Sequence, residues 1–75
     1  MAVKDEPRDA FARRLSMWLK HNGHDYIWLA EQVEVSRSTA WKWVLGLGEP
    51  RLYTLRRIAY LVGDSFLWMI GVDDG

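Results

Sequence analysis

Apolar residues recur along this chain at helical rather than strand spacing. Phe11, Leu15, Trp18 and Leu19 fall at i, i+4, i+7 and i+8, a stripe on one helix face, while Arg13, Arg14 and Lys20 fall away from it. Pro7 suits a first turn, with Asp5 or Glu6 capping it and Asp9 near the positive end of the helix dipole. Lys20 and His21 suit the opposite end, and Asn22-Gly23 stops the helix. The stretch from Asp25 to Trp43 then predicts two short helices, roughly 26–33 and 37–45, broken at Glu34-Val35. Asp25 and Ser36 are their N-caps, because each side chain can accept a bond from an otherwise unpaired first-turn amide. Ile27, Leu29, Ala30 and Val33 give the first of the two a buriable stripe.

Gly46, Gly48 and Pro50 punctuate the following loop, and Pro50 pushes Glu49 out of helical geometry. A fourth helix over about 52–62 places Leu52, Leu55, Ile58, Ala59 and Val62 on one side and Arg56-Arg57 on the other. Gly63 ends it, and Ser65 is read as the cap of a last short helix, 66–70. No strand alternation, repeat or low-complexity tract interrupts this series. The pattern predicts an all-α fold: five short helices in one domain over 1–75, with 1–6 a loose lead-in and 72–75 an acidic tail.

Composition adjusts this picture in three ways. The chain has 75 residues, so its core must be efficient; ten aromatics, five of them Trp, supply bulk. Cysteine is absent, so neither a disulfide framework nor a thiolate metal site is expected. The charged opening MAVKDEPRDA has no apolar segment of the kind a signal peptide needs, and no run reaches the roughly 18–20 residues that span a bilayer. A cytoplasmic setting is expected.

Formal net charge is zero, which argues against a nucleic-acid partner until its distribution is read. From Arg8 to Tyr60 nine Lys/Arg stand against five Asp/Glu, a net of +4; residues 1–7 carry −1 and residues 61–75 carry −3. Acidic charge gathers at the ends, so a basic face is compatible with a neutral molecule, although its field is weak and easily screened. The third helix opens Arg37-Ser38-Thr39 and carries Lys42. A short, polar, cationic helix start of this kind can enter a DNA major groove and touch base edges. Taken alone, Arg37 and Lys42 also fit a solvated helix face.

Leu29-Ala30, Ser36-Arg37-Ser38-Thr39, Gly46, Pro50, Leu52-Leu55-Ile58-Ala59-Leu61 and Ser65-Trp68 occur in an order and at spacings that together are specific. Over about residues 11–71 the chain resembles the phage-repressor and Cro-type helix-turn-helix family, also called XRE-like. The resemblance implies a five-helix lambda-repressor-like bundle with its helix-turn-helix at about 26–45. It implies Arg37, Ser38 and Lys42 as base-edge contacts, with Tyr26, Ser36, Thr39, Trp41 and Arg51 at the DNA backbone or groove. Two departures stand out. Glu34 holds the turn position usually given to Gly, so either a residue with a Cβ takes an unusual backbone or the turn differs. Ala40 replaces a branched aliphatic and leaves room for a neighbouring Trp.

The remaining aromatics leave alternatives. Trp41 either folds down beside Ala40 or meets a thymine methyl or sugar–phosphate edge; Trp43 falls on a core position; Trp28 covers the Trp41 side or meets a partner. Phe66, Leu67, Trp68, Met69 and Ile70 are more apolar than one face can bury. They either form a homodimer interface or, through Phe66, Trp68 and Met69, close the monomer core. His21 and His24 are separated by a helix-breaking Asn-Gly and no acidic cluster supports them, so no metal site and no cofactor are expected. No nucleophile motif, phosphate loop or carboxylate pair marks an enzyme. The resemblance implies a sequence-specific transcriptional regulator, a repressor that binds a near-palindromic double-stranded operator as a dimer. The alternatives are a protein-interaction module on the same fold, antitoxin-like or bound to another regulator, and a phage-type activator.

Overall fold

The computed structural model describes residues 7–71, and every regular element in that span is a helix. The helices are α1 (Pro7–His21), α2 (Tyr26–Val33), α3 (Arg37–Leu45) and α4 (Leu52–Val62). A 3-10 turn, Gly63–Ser65, then leads into a single further turn of helix, α5 (Phe66–Met69). The expected caps Asp5 and Glu6, the expected place of Asp9 at the start of α1, the lead-in 1–6 and the tail 72–75 lie outside the described residues and side chains. No helix among the described residues is long and apolar enough to cross a membrane.

The largest fully buried side chains are Leu15, Leu29, Ile58 and Met69, one each from α1, α2, α4 and α5. Phe11, Leu19, Ala30, Val33, Ala40, Trp43 and Val62 complete the core around them. Each element thus meets the others through the apolar stripe that its helical period creates, and removal of that surface from water drives the assembly. α2 and α3 pack most closely, α1 lies across α3 and α5, and α4 rests on α2 and α5.

Helix ends explain where the chain turns. Asp25 accepts a bond from the Trp28 amide at 2.9 Å, and Ser36 accepts one from the Thr39 amide at 3.0 Å, so both expected caps form. α3 closes on Gly46 in the left-handed region (φ 76°), with the Leu47 amide bonded back to the Lys42 carbonyl at 2.9 Å. α2 closes the same way on Glu34 (φ 61°, ψ 47°), and the Val35 amide reaches the Ala30 carbonyl at 3.0 Å. This pattern of a left-handed residue followed by a six-to-one hydrogen bond normally uses Gly. The turn is therefore of the expected shape and Glu34 carries the unusual backbone.

Three sequence expectations need correction. Leu52 does not join the buried side of α4; it is 72% exposed, because the first turn of α4 projects past the core and inward packing is complete only from Ile58. Ser65 makes no side-chain cap to α5, since the chain enters that turn through a 3-10 segment with Ser65 already in helical conformation. Arg14, expected to fall away from the apolar stripe of α1, is half-buried beside the last turn. Its Nη1 donates to the Trp68 carbonyl at 2.9 Å, and its guanidinium lies 5.7 Å from the Trp68 ring centroid. A cation at the carbonyl end of α5 meets the negative end of the local peptide dipoles, which ties the last turn to α1.

Candidate nucleic-acid interface

α3 is nine residues long, and its burial divides cleanly around the axis. With about 100° per residue, Thr39, Trp43, Ala40 and Val44 share one side. Ala40 and Trp43 are buried, and Thr39 and Val44 are half-buried. Arg37, Trp41, Leu45, Ser38 and Lys42, in that angular order, span the remaining arc of about 140°, and all five are exposed. The helix is thereby fixed in rotation, with two cations at the edges of its outward face. Between them runs a line of Trp41, Leu45 and Ser38.

The start of α3 is rigid. The Ser36 hydroxyl caps the Thr39 amide and donates to Thr39 Oγ1 at 2.9 Å. The Ser36 hydrogen is then engaged with Thr39. Tyr26, the first residue of α2, packs against Trp41 with ring centroids 4.8 Å apart and planes inclined at 53°. Trp41 is 46% exposed; it does not fold into the space beside Ala40, where Trp43 supplies the buried ring of this helix. Arg51 is exposed at the N-cap of α4, where its side chain makes no capping bond. Tyr26, Arg37, Ser38, Trp41 and Lys42 are thus contributed by two adjoining helices, and Arg51 stands apart at the head of α4.

The α2–α3 turn is held from behind by α4. Arg57 Nη1 lies 3.1 Å from Glu34 Oε1, and Arg57 Nη2 donates to the Tyr53 hydroxyl at 2.6 Å. The Glu34 hydrogen bond, then that of Tyr53, hold the Arg57 guanidinium above its ordinary pKa, so it stays charged throughout any usable pH range. Trp28 does not cover Trp41. It stacks on His24 at 3.6 Å and 4°, with Trp18 at 6.3 Å, and so covers the α1–α2 junction.

A second surface lies on α4 and α5. Leu52, Leu55, Ala59, Phe66 and Ile70 line a shallow apolar groove with Arg56 at its edge. Glu49, Pro50 and Phe11 adjoin the same Leu55 and Ile70, and Tyr60, 93% exposed, flanks Arg56. In α5 and its C-cap Ile70, Leu67 and Ile70 are exposed and Phe66 and Trp68 half-buried. Met69 is fully buried and belongs to the core, not to the interface expected of it.

Sequence reasoning missed Leu45 as a member of the outward arc, although its place four residues after Trp41 was readable from the period. It also missed Arg14 and the Glu34–Arg57 pair, which join segments far apart in the chain and leave no local signal. No group of three or more His, Cys, Asp or Glu side chains suited to a metal occurs among the described residues. Comparison of the chain with protein-family models, curated proteins and solved structures gave no match in any of the three.

Proposed function

We propose that this chain is a sequence-specific DNA-binding regulator of the phage-repressor and Cro type, with α2 and α3 as its helix-turn-helix and α3 entering the major groove. The observation that carries the reading is the outward arc of α3: Arg37, Ser38 and Lys42 exposed together on a capped helix whose opposite side is buried. Arg37 takes a guanine edge in a bidentate contact, and Lys42 a guanine edge or a phosphate. The Thr39 hydroxyl, the Tyr26 hydroxyl and Arg51 hold the sugar–phosphate backbone, which sets register while the base contacts carry sequence information. Ser36 acts by ordering the helix start.

Such a domain reads one half-site, so we assign it a homodimer on a near-palindromic operator, acting by occlusion of a promoter in a bacterial or phage-infected cell. The α4–α5 groove supports this as an exposed apolar surface, with Leu52, Leu55, Phe66 and Ile70 among its lining. The function is binding rather than catalysis.

A second reading, a protein-interaction module, draws on one observation: Trp41 and Leu45, 46% and 48% exposed, run down the middle of the same arc. Selection of bound duplexes from random DNA, followed by affinity measurement at several salt concentrations, separates the two. Arg37→Ala is expected to cost about 1–3 kcal/mol on the selected site and to relax preference there. Unchanged affinity in the Arg37→Ala, Lys42→Ala double variant would sink the DNA-reading assignment.

A further inference from the structure

We infer that Trp41 is a specificity-determining residue that reads the C5-methyl group of a pyrimidine, thymine in unmodified DNA, beside the guanine taken by Arg37. This rests on the DNA-reading assignment of α3 and deepens it. Three observations converge on it.

Trp41 lies between Arg37 and Ser38 in angular order on the outward arc, and it follows Arg37 by four residues. Arg37 and Trp41 therefore share a face, about 6 Å apart along the axis at 1.5 Å per residue. That separation matches one to two base steps of about 3.4 Å.

The ring is also held outward. Tyr26 braces it at 4.8 Å, and the buried Ala40 and Trp43 on the far side prevent the helix from rolling to bury it. A large apolar surface is thus presented in a fixed pose among the polar residues of the arc.

The pyrimidine C5-methyl is the one apolar group that projects into the major groove; the donors and acceptors there would be left unpaired under an indole face, and bare ring C–H edges offer it far less surface. Leu45, one turn further on, extends the apolar line toward the groove edge.

The test uses the intact protein and the duplex it selects. Each thymine in turn is replaced by deoxyuridine, which removes the methyl and nothing else, and affinity is read by fluorescence anisotropy of labelled DNA. In the unsubstituted protein one position, one or two steps from the essential guanine, is expected to lose about 4-fold, the worth of one buried methyl group. 5-Methylcytosine at that position is expected to bind more tightly than cytosine. In Trp41→Ala both differences should vanish while the Arg37-dependent guanine preference remains. Insensitivity of the unsubstituted protein to every uracil replacement, with guanine preference intact, overturns the inference and leaves the DNA reading standing. Methyl sensitivity that persists in Trp41→Ala overturns the assignment to this side chain. Absence of any selected, salt-dependent duplex overturns the underlying reading and the inference together.

Discussion

Glu34 and Arg57 meet at 3.1 Å across the α2–α3 turn, so the only described non-glycine residue with positive φ is gripped by a cation from α4. The two features act in opposite directions. A left-handed backbone costs an L-residue about 1–2 kcal/mol, whereas an ion pair this exposed is screened by water and salt. Glu34→Gly is therefore expected to stabilise the fold by up to about 1 kcal/mol, part of the relief being offset by the freer unfolded chain. Glu34→Ala keeps the strain, loses the pair, and should show no gain. Urea unfolding of the two variants gives opposite signs if strain dominates; destabilisation by Glu34→Gly would show that the pair does.

Ser36→Ala removes the side-chain acceptor for the Thr39 amide and the donor to Thr39 Oγ1. A loss of about 1 kcal/mol is expected in chemical unfolding, with Ser36→Asp retaining most of the stability. Equal losses for both variants would argue against capping as the cause.

Ala40 is completely buried where α3 meets the core. A larger aliphatic side chain here adds volume to a site with no open surface, so Ala40→Leu should destabilise by about 1–3 kcal/mol. A more stable Ala40→Leu protein would reveal unfilled space behind the helix.

Arg51 is expected to contact a phosphate without reading sequence. Its replacement by Ala should weaken binding to selected and unrelated duplexes alike, and lower the slope of log affinity against log salt by about 1. A loss confined to the selected sequence would move Arg51 into the base-reading set.

Leu52 is 72% exposed, so Leu52→Glu should leave the monomer fold intact while charging the α4–α5 groove. Sedimentation on operator-length DNA should shift from two protomers toward one. An unchanged stoichiometry would place the dimer contact elsewhere.

Much of the helical framework was legible because its signals are local. The caps Asp25 and Ser36, the Asn22-Gly23 and Gly46 stops and the apolar periods bring α2, α3 and α4 to their expected bounds. The turn at Glu34 could be located from sequence, yet which of two resolutions it takes shows only in the backbone, and its ion pair with Arg57 joins residues 23 apart in the chain. Leu52 was misplaced because periodicity identifies a face without saying how far along the helix the core extends. For the outward arc, spacing identifies which residues share a side. Only the burial of Ala40 and Trp43 fixes which side turns outward, and only the Tyr26 contact fixes the pose of Trp41.

The Tyr26–Trp41 brace has a consequence for how this domain can diverge. Replacement of Trp41 to alter recognition also removes the cover from Tyr26, and replacement of Tyr26 frees the indole to sample other rotamers. Drift at either site alone disturbs the other ring before a new preference can emerge. Among descendants of this sequence, positions 26 and 41 should therefore change as a correlated pair, while 38 and 42 vary independently. A designer retargeting the domain inherits the same constraint.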